Sequence, residues 1–141
     1  MSKQKQNKVL FLCTHNSARS QMAEGLLRHL GGKNYHVYSA GTEKTFVRPQ
    51  AIQVVAEIGI DISQQESKTL EQFLQDDFDE IITVCDDANE ACPVFPNAKQ
   101  RRHWSFPDPS KAEGTEAEQL KVYRAVRDAI QQKIEKELLS L

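Results

Sequence analysis

Cys13 and Arg19 stand with five residues between them in the run Cys13-Thr14-His15-Asn16-Ser17-Ala18-Arg19-Ser20. A loop of that length between a strand and a helix curls so that successive backbone N–H groups point at one tetrahedral oxyanion, and the helix N-terminus adds its partial positive charge. Arg19 closes the cradle, because a guanidinium fork holds two oxygens at once and an ammonium does not. A free cysteine is only a few per cent thiolate at neutral pH, and a helix N-terminus with a facing arginine favours the attacking anion. Cys13 is therefore read as a nucleophile. Thr14, His15, Asn16, Ser17, Ala18, Arg19 and Ser20 form the substrate-binding loop, with Ser17 and Ser20 available to donate to the sulfur or fix the loop. The competing reading makes Cys13 a small hydrophobe ending a strand and Arg19 a surface charge, and placement between a buried strand and a helix argues against it.

Two more cysteines follow. Ile81-Ile82-Thr83-Val84-Cys85 repeats the pattern of an apolar strand ending in cysteine. Neighbouring parallel strands lie about 4.8 Å apart, within the Cα separation a disulfide accepts, so Cys13 and Cys85 could bond if their strands are adjacent. Cys92 comes after six intervening residues and before Pro93. A continuous helix would hold Cys85 and Cys92 roughly 10 Å apart, so a bond between them requires that segment to loop or unwind. Three cysteines so placed fit a relay in which each thiolate attacks the preceding sulfur. Metal binding is disfavoured by the wide spacing, and simple packing of Cys85 and Cys92 stays open. Asp108, in Phe106-Pro107-Asp108-Pro109, is either a turn aspartate or an acid placed to protonate a departing oxygen. The four histidines form no spaced cluster; His15 could add positive charge beside the loop.

The elements that must position these residues follow from hydrophobic pattern. Val9 to Leu12 is continuously apolar, as in a strand covered on both faces of a parallel sheet. From Ser17 the spacing turns helical, with Met22, Leu26, Leu27 and Leu30 on one stripe and Gly31-Gly32 as the stop. Tyr35 to Ser39 reads as a strand, Pro49 to Ile58 as a helix, Thr69 with Gln72 as the cap of a short helix, Glu80 to Val84 as a strand and Arg102 to Phe106 as a weaker one. Thr115 and Glu118 form a capping box ahead of Leu120, Tyr123, Val126, Ile130, Ile134 and Leu138, a long amphipathic helix. The expectation is one α/β domain over 1–141, a four-stranded parallel sheet with helices on both faces, preceded by a flexible polar leader at 1–7. Ligands in such folds bind beyond the carboxyl ends of the strands.

With 141 residues, 39% hydrophobic and 27% charged, the composition is that of one globular domain. A net charge of −2 excludes a global field for nucleic acid or anionic lipid, so any anion is held locally. The apolar run after the leader is too short for a signal peptide or membrane span, which places the chain in the cytoplasm, where cysteines stay reduced.

The chain resembles the thioredoxin-coupled arsenate reductases, which share the fold and anion loop of low-molecular-weight protein tyrosine phosphatases. The resemblance runs from about Lys8 to the C-terminal helix and rests on Cys13-Thr14, Asn16-Ser17, Arg19 to Gly25, Tyr38-Ser39-Ala40-Gly41, Gly59 to Ser63, Thr83-Val84-Cys85, Cys92-Pro93, His103-Trp104 and Asp108-Pro109. It implies that Cys13 attacks arsenate while Asp108 protonates the leaving hydroxyl. Cys85 then attacks Cys13, releasing arsenite, and Cys92 attacks Cys85, leaving a Cys85–Cys92 disulfide for thioredoxin. It implies no bound cofactor, phosphate and sulfate as competing oxyanions, and a role in arsenic detoxification. The runner-up is a phosphatase of the same fold; a third reading is an oxyanion-binding redox sensor without turnover. Against the phosphatase, Ser110-Lys111-Ala112 stands where those enzymes carry ring-gripping aromatics. Other departures are His15 for a glycine, Ala18 for a cysteine and Pro107 for an aspartate. Some members bind potassium through residues that align with Asn16, Glu24, Ser39 and Lys68. A lysine has only donors, so the Lys68 ammonium is expected to replace the ion as partner of Asn16 and Glu24.

Overall fold

The structure, a computed structural model, describes residues 6–86, 93–96 and 98–139. Strands β1 (Asn7–Cys13), β2 (Tyr35–Gly41), β3 (Phe78–Thr83) and β4 (Ala98–His103) form one parallel sheet in the order β2-β1-β3-β4. Val9, Leu10, Phe11 and Leu12 are wholly buried, because β1 is central and covered on both faces. Pairing of Cys13 with Gly41 and of Leu12 with Thr83 brings the carboxyl ends of three strands to one edge.

Alternation along β1 sends Val9, Phe11 and Cys13 to one face and Leu10 and Leu12 to the other. The first face is covered by Met22, Leu26 and Leu27 of α1 (Arg19–Gly31), Val54 and Val55 of α2 (Pro49–Ala56), and Tyr123, Val126 and Ile130 of α3 (Glu116–Lys133). The second face packs against Phe73, from a single 3₁₀ turn at Leu70–Phe73, and Phe95. Helical elements thus lie on both faces, unequally. The α3 capping box forms as the spacing predicts: Glu118 N–H donates to Thr115 Oγ1 and Thr115 N–H to Glu118 Oε1, each at 3.1 Å. No described helix is long and apolar enough to cross a membrane.

Four local expectations need correction. Asn7, assigned to the leader, already pairs with Tyr35 in β1, and its side chain donates to Glu80 at 2.9 Å. α1 starts at Arg19 rather than Ser17, because the residues before it are spent on the loop. The capped helix expected at Thr69 is one 3₁₀ turn, and the Thr69 side chain makes no cap. The last strand runs Ala98–His103 rather than Arg102–Phe106. It is an exposed edge strand with no apolar alternation, whereas Trp104 and Phe106 are buried where the chain dives into the core after it.

Candidate active site

The segment between β1 and α1 is folded by hydrogen bonds to its carbonyls. Thr14 O accepts from Thr42 and Glu43 N–H at 2.9 and 3.0 Å, and Ser17 O accepts from Arg48 N–H at 2.9 Å. His15 O takes the hydroxyls of Thr45 and Ser67, at 2.9 and 3.2 Å, and Asn16 O takes the Gln21 amide at 3.1 Å. In a trans peptide the N–H points opposite to the preceding C=O. Four carbonyls held outward therefore turn the N–H groups of residues 15–18 inward, around Cys13. The Asn16 N–H already reaches Cys13 Sγ at 3.3 Å. The amides of Ser17 and Ala18 have no acceptor among the described residues. No side chain caps α1, and a helix N-terminus is where an anion finds backbone donors.

The left-handed torsion of the loop falls on Asn16, at φ +49°, not on His15 where a glycine is usual. Asparagine tolerates that region better than most residues. Four side-chain hydrogen bonds hold it: Nδ2 donates to Ser20 Oγ at 2.8 Å and to Ser39 Oγ at 2.9 Å, while Oδ1 accepts from Gln21 Nε2 at 2.9 Å and Lys68 N–H at 2.8 Å. Ser20 Oγ lies 2.9 Å from Cys13 Sγ. Since Ser20 Oγ already accepts from Asn16, its proton is free for the sulfur. Ser39 in turn donates to Glu24 Oε1 at 2.5 Å. One hydrogen-bonded chain, in which Asn16 Nδ2 donates toward both ends, thus links the buried Glu24 carboxylate to the Cys13 sulfur. His15, expected to add positive charge, stands 3.5 Å from the Glu43 carboxylate.

Gly41 makes the loop's close approach possible. A Cβ there would sit 2.7 Å from Thr14 O, 2.8 Å from Asn16 N and 2.9 Å from Cys13 O, all backbone atoms with little room to yield. Gly41→Ala is expected to cost about 1–3 kcal/mol of stability, as overpacking does, and to disturb the loop. Thermal melting and phosphate binding would report it together; wild-type values in both would show that the loop can shift.

Arg19 lies under the loop, its side chain 3% exposed, donating to Phe106 O at 3.1 Å and sitting 3.7 Å from Asp108 Oδ2. Asp108 is oriented by Ser110, whose N–H and hydroxyl both donate to Oδ1, at 2.9 and 2.7 Å. That leaves Oδ2 facing Arg19. Asp108 thus caps the turn Pro109–Lys111 and keeps its other carboxylate oxygen on Arg19.

Cys85 follows β3 and is fully buried in the same core cluster as Cys13, where Val84 N–H donates to Leu12 O at 2.9 Å. Cys13 is a free thiol and Cys85 is disulfide-bonded. Cys92, the last member of the expected relay, lies outside the described residues. Among the described residues no three His, Cys, Asp or Glu side chains gather as a metal site would need.

Residues 8–141 match the low molecular weight phosphotyrosine protein phosphatase family. The chain belongs to that family. Within it, the chain is 49% identical over 126 residues to an arsenate reductase of Halalkalibacterium halodurans, covering 89% of this chain and 91% of that protein. A solved arsenate reductase in the phosphate binding state superimposes with a TM-score of 0.77 at 35% identity, covering 95% and 98% of the two chains. A thioredoxin-dependent arsenate reductase of Corynebacterium glutamicum superimposes at 0.66, 25% identical, over 96% of this chain and 64% of that one.

At the cation position that the family resemblance implied, the chain places two cationic side chains beside Glu24. Lys68 Nζ lies 3.9 Å from Glu24 Oε1 and donates to Glu66 O at 2.7 Å, while Arg28 holds Glu24 Oε2 at 2.5 Å. Two cationic side chains already face the carboxylate. The contact to Asn16, however, comes from the Lys68 backbone rather than its ammonium. Equal steady-state rates in potassium and sodium chloride at matched ionic strength are expected; a marked gain in potassium would overturn this.

Sequence reasoning missed Gly41, Gln21, Ser110 and Arg48 as parts of the site. Gln21 carries the one local signal, a polar residue fully buried beside the apolar stripe of α1. The others act through partners distant along the chain.

Proposed function

We propose that the protein is an arsenate reductase working by a three-cysteine relay. The observation that carries this reading is the placement of a second buried cysteine, Cys85, at the end of the strand beside the one that delivers Cys13 to the anion loop. A phosphatase of this fold needs only Cys13, Arg19 and Asp108. The arsenate reductase names of its relatives support the same reading.

Arsenate sits in the loop with its oxygens on the inward N–H groups of residues 15–18 and on Arg19. The Cys13 thiolate attacks arsenic, and Asp108 gives its proton to the departing hydroxyl, which leaves as water. Cys85 attacks Cys13 Sγ; the sulfur–arsenic electron pair stays on arsenic, which leaves as arsenite, and a Cys13–Cys85 disulfide forms. Cys92 then attacks Cys85 and frees Cys13. A dithiol reductant, thioredoxin, reduces the final disulfide in the cytoplasm and restores the cycle. A free Cys13 alongside an oxidised Cys85 is the redox state in which this sequence ends. Phosphate and sulfate compete for the loop, and no bound cofactor takes part.

The test is NADPH oxidation in the presence of thioredoxin and thioredoxin reductase, with and without arsenate, beside hydrolysis of p-nitrophenyl phosphate by the same sample. Arsenate-dependent oxidation with weak hydrolysis is the expected result. Brisk hydrolysis without arsenate-dependent oxidation would transfer the function to phosphomonoester cleavage.

A further inference from the structure

We propose that Arg48 is a second anion-recognising arginine of this site, one that grips the outward-facing oxygen of the bound oxyanion while Arg19 holds it from beneath. The inference rests on the oxyanion reading above. Of the chain's seven arginines, all described, six have oxygen partners. Arg19 has Phe106 O and Asp108, Arg28 has Glu24, and Arg101 has the Phe95 and Pro96 carbonyls. Arg102 pairs with Glu80 and Glu137, and Arg124 and Arg127 share Glu57. Arg48 has none. Its Nε is buried without a hydrogen-bond partner, and its guanidinium lies over the Phe46 ring, 5.1 Å from the centroid. A buried donor left unmatched is a standing cost that a matching acceptor relieves.

Arg48 is also fixed to the right place. Its own N–H donates to Ser17 O, one of the four bonds that turn the anion loop inward, so its Cα is tied to the cradle. On the opposite side, Arg48 and Asp108 act on the same Tyr123 phenol. Burial pushes that phenol above its usual range, Arg48 draws it down and Asp108 pushes it further up. The guanidinium and the Asp108 carboxylate therefore both lie within electrostatic reach of the Tyr123 hydroxyl, and Asp108 Oδ2 faces Arg19 at the mouth of the loop. A tetrahedral anion seated on the inward N–H groups and Arg19 turns its remaining oxygen toward that mouth. The unmatched guanidinium is the donor available there, with charge to offset a dianion and a fork to orient it. Phe46, 55% exposed, supports the guanidinium from one side.

The experiment uses the reduced full-length protein and three variants: Arg48→Met, which keeps the stem over Phe46, Arg48→Gln, which keeps a neutral donor, and Arg48→Lys, which keeps charge without the fork. Calorimetric titration with inorganic phosphate reads binding without arsenate or thioredoxin; steady-state kinetics then separates KM from kcat. Phosphate affinity should fall about tenfold in Arg48→Met, as loss of a charge-assisted hydrogen bond predicts. KM for arsenate should rise in parallel with a smaller change in kcat, Arg48→Lys should recover part of the loss, and melting temperature should not fall. Unchanged phosphate affinity in folded Arg48→Met overturns the proposal, as does equal loss in Arg48→Lys and Arg48→Gln. Should Arg48→Met fail to fold, the Arg48→Lys and Arg48→Gln comparison decides alone. Wild-type phosphate binding without arsenate-dependent NADPH oxidation would sink the reductase reading and leave Arg48 standing as an anion ligand.

Discussion

Cys13→Ser is expected to eliminate arsenate-dependent NADPH oxidation, by at least about 10⁴-fold, the scale at which removing an enzyme's nucleophile is felt. A serine hydroxyl stays protonated where the sulfur would be anionic, so the donors at Ser20 and Asn16 would have no anion to stabilise. Oxygen also cannot become the middle partner of a disulfide, so the electron path to Cys85 is cut as well as the first attack. p-Nitrophenyl phosphate hydrolysis should vanish with it, because both chemistries begin at the same atom. Phosphate binding should survive, since the loop amides and Arg19 are untouched. A residual reductase rate within tenfold of wild type would place the nucleophile elsewhere.

Cys92→Ser separates the relay from the anion chemistry. One arsenite should be released per enzyme in a rapid first turnover, because Cys13 and Cys85 suffice to form a disulfide and expel arsenic. Steady-state oxidation of NADPH by thioredoxin and its reductase should then stop, since the stranded Cys13–Cys85 bond would join a sulfur 2% exposed to one fully buried. Burst analysis of arsenite, with mass spectrometry of the trapped disulfide, distinguishes the cases. Undiminished cycling would remove Cys92 from the mechanism; loss of the first turnover too would show that Cys92 acts earlier than the relay allows.

How much of this was legible in the sequence depended on how local each cause was. Cys13 to Arg19 could be read because strand, loop and helix follow one another directly, and the box at Thr115 because its partners are three residues apart. The left-handed torsion at Asn16 could not be read from the sequence. What sends Asn16 rather than His15 into the left-handed region is a set of bonds to Ser39 and Lys68, partners that no local spacing announces. Gly41 escaped for a similar reason: the crowding comes from the backbone of the Cys13–Asn16 loop, distant along the chain. Asp108 stayed open because a turn cap and a carboxylate facing Arg19 have the same local sequence, and the Arg19 contact is made by a residue distant along the chain. The last strand was displaced because its apolar residues come after it.

That last strand has a consequence for how the molecule meets copies of itself. β4 closes one side of the sheet and leaves backbone donors and acceptors along its outer rim. Its residues include Lys99, Arg101, Arg102 and His103, and four of its six positions are exposed. A second sheet docking rim to rim, about 5 Å away, would have to strip water from these polar side chains and from the ion pairs of Lys99 with Asp79 and of Arg102 with Glu80 and Glu137. The polarity that hid the strand from a hydrophobic reading is thus what discourages end-to-end fibre growth in a crowded cell.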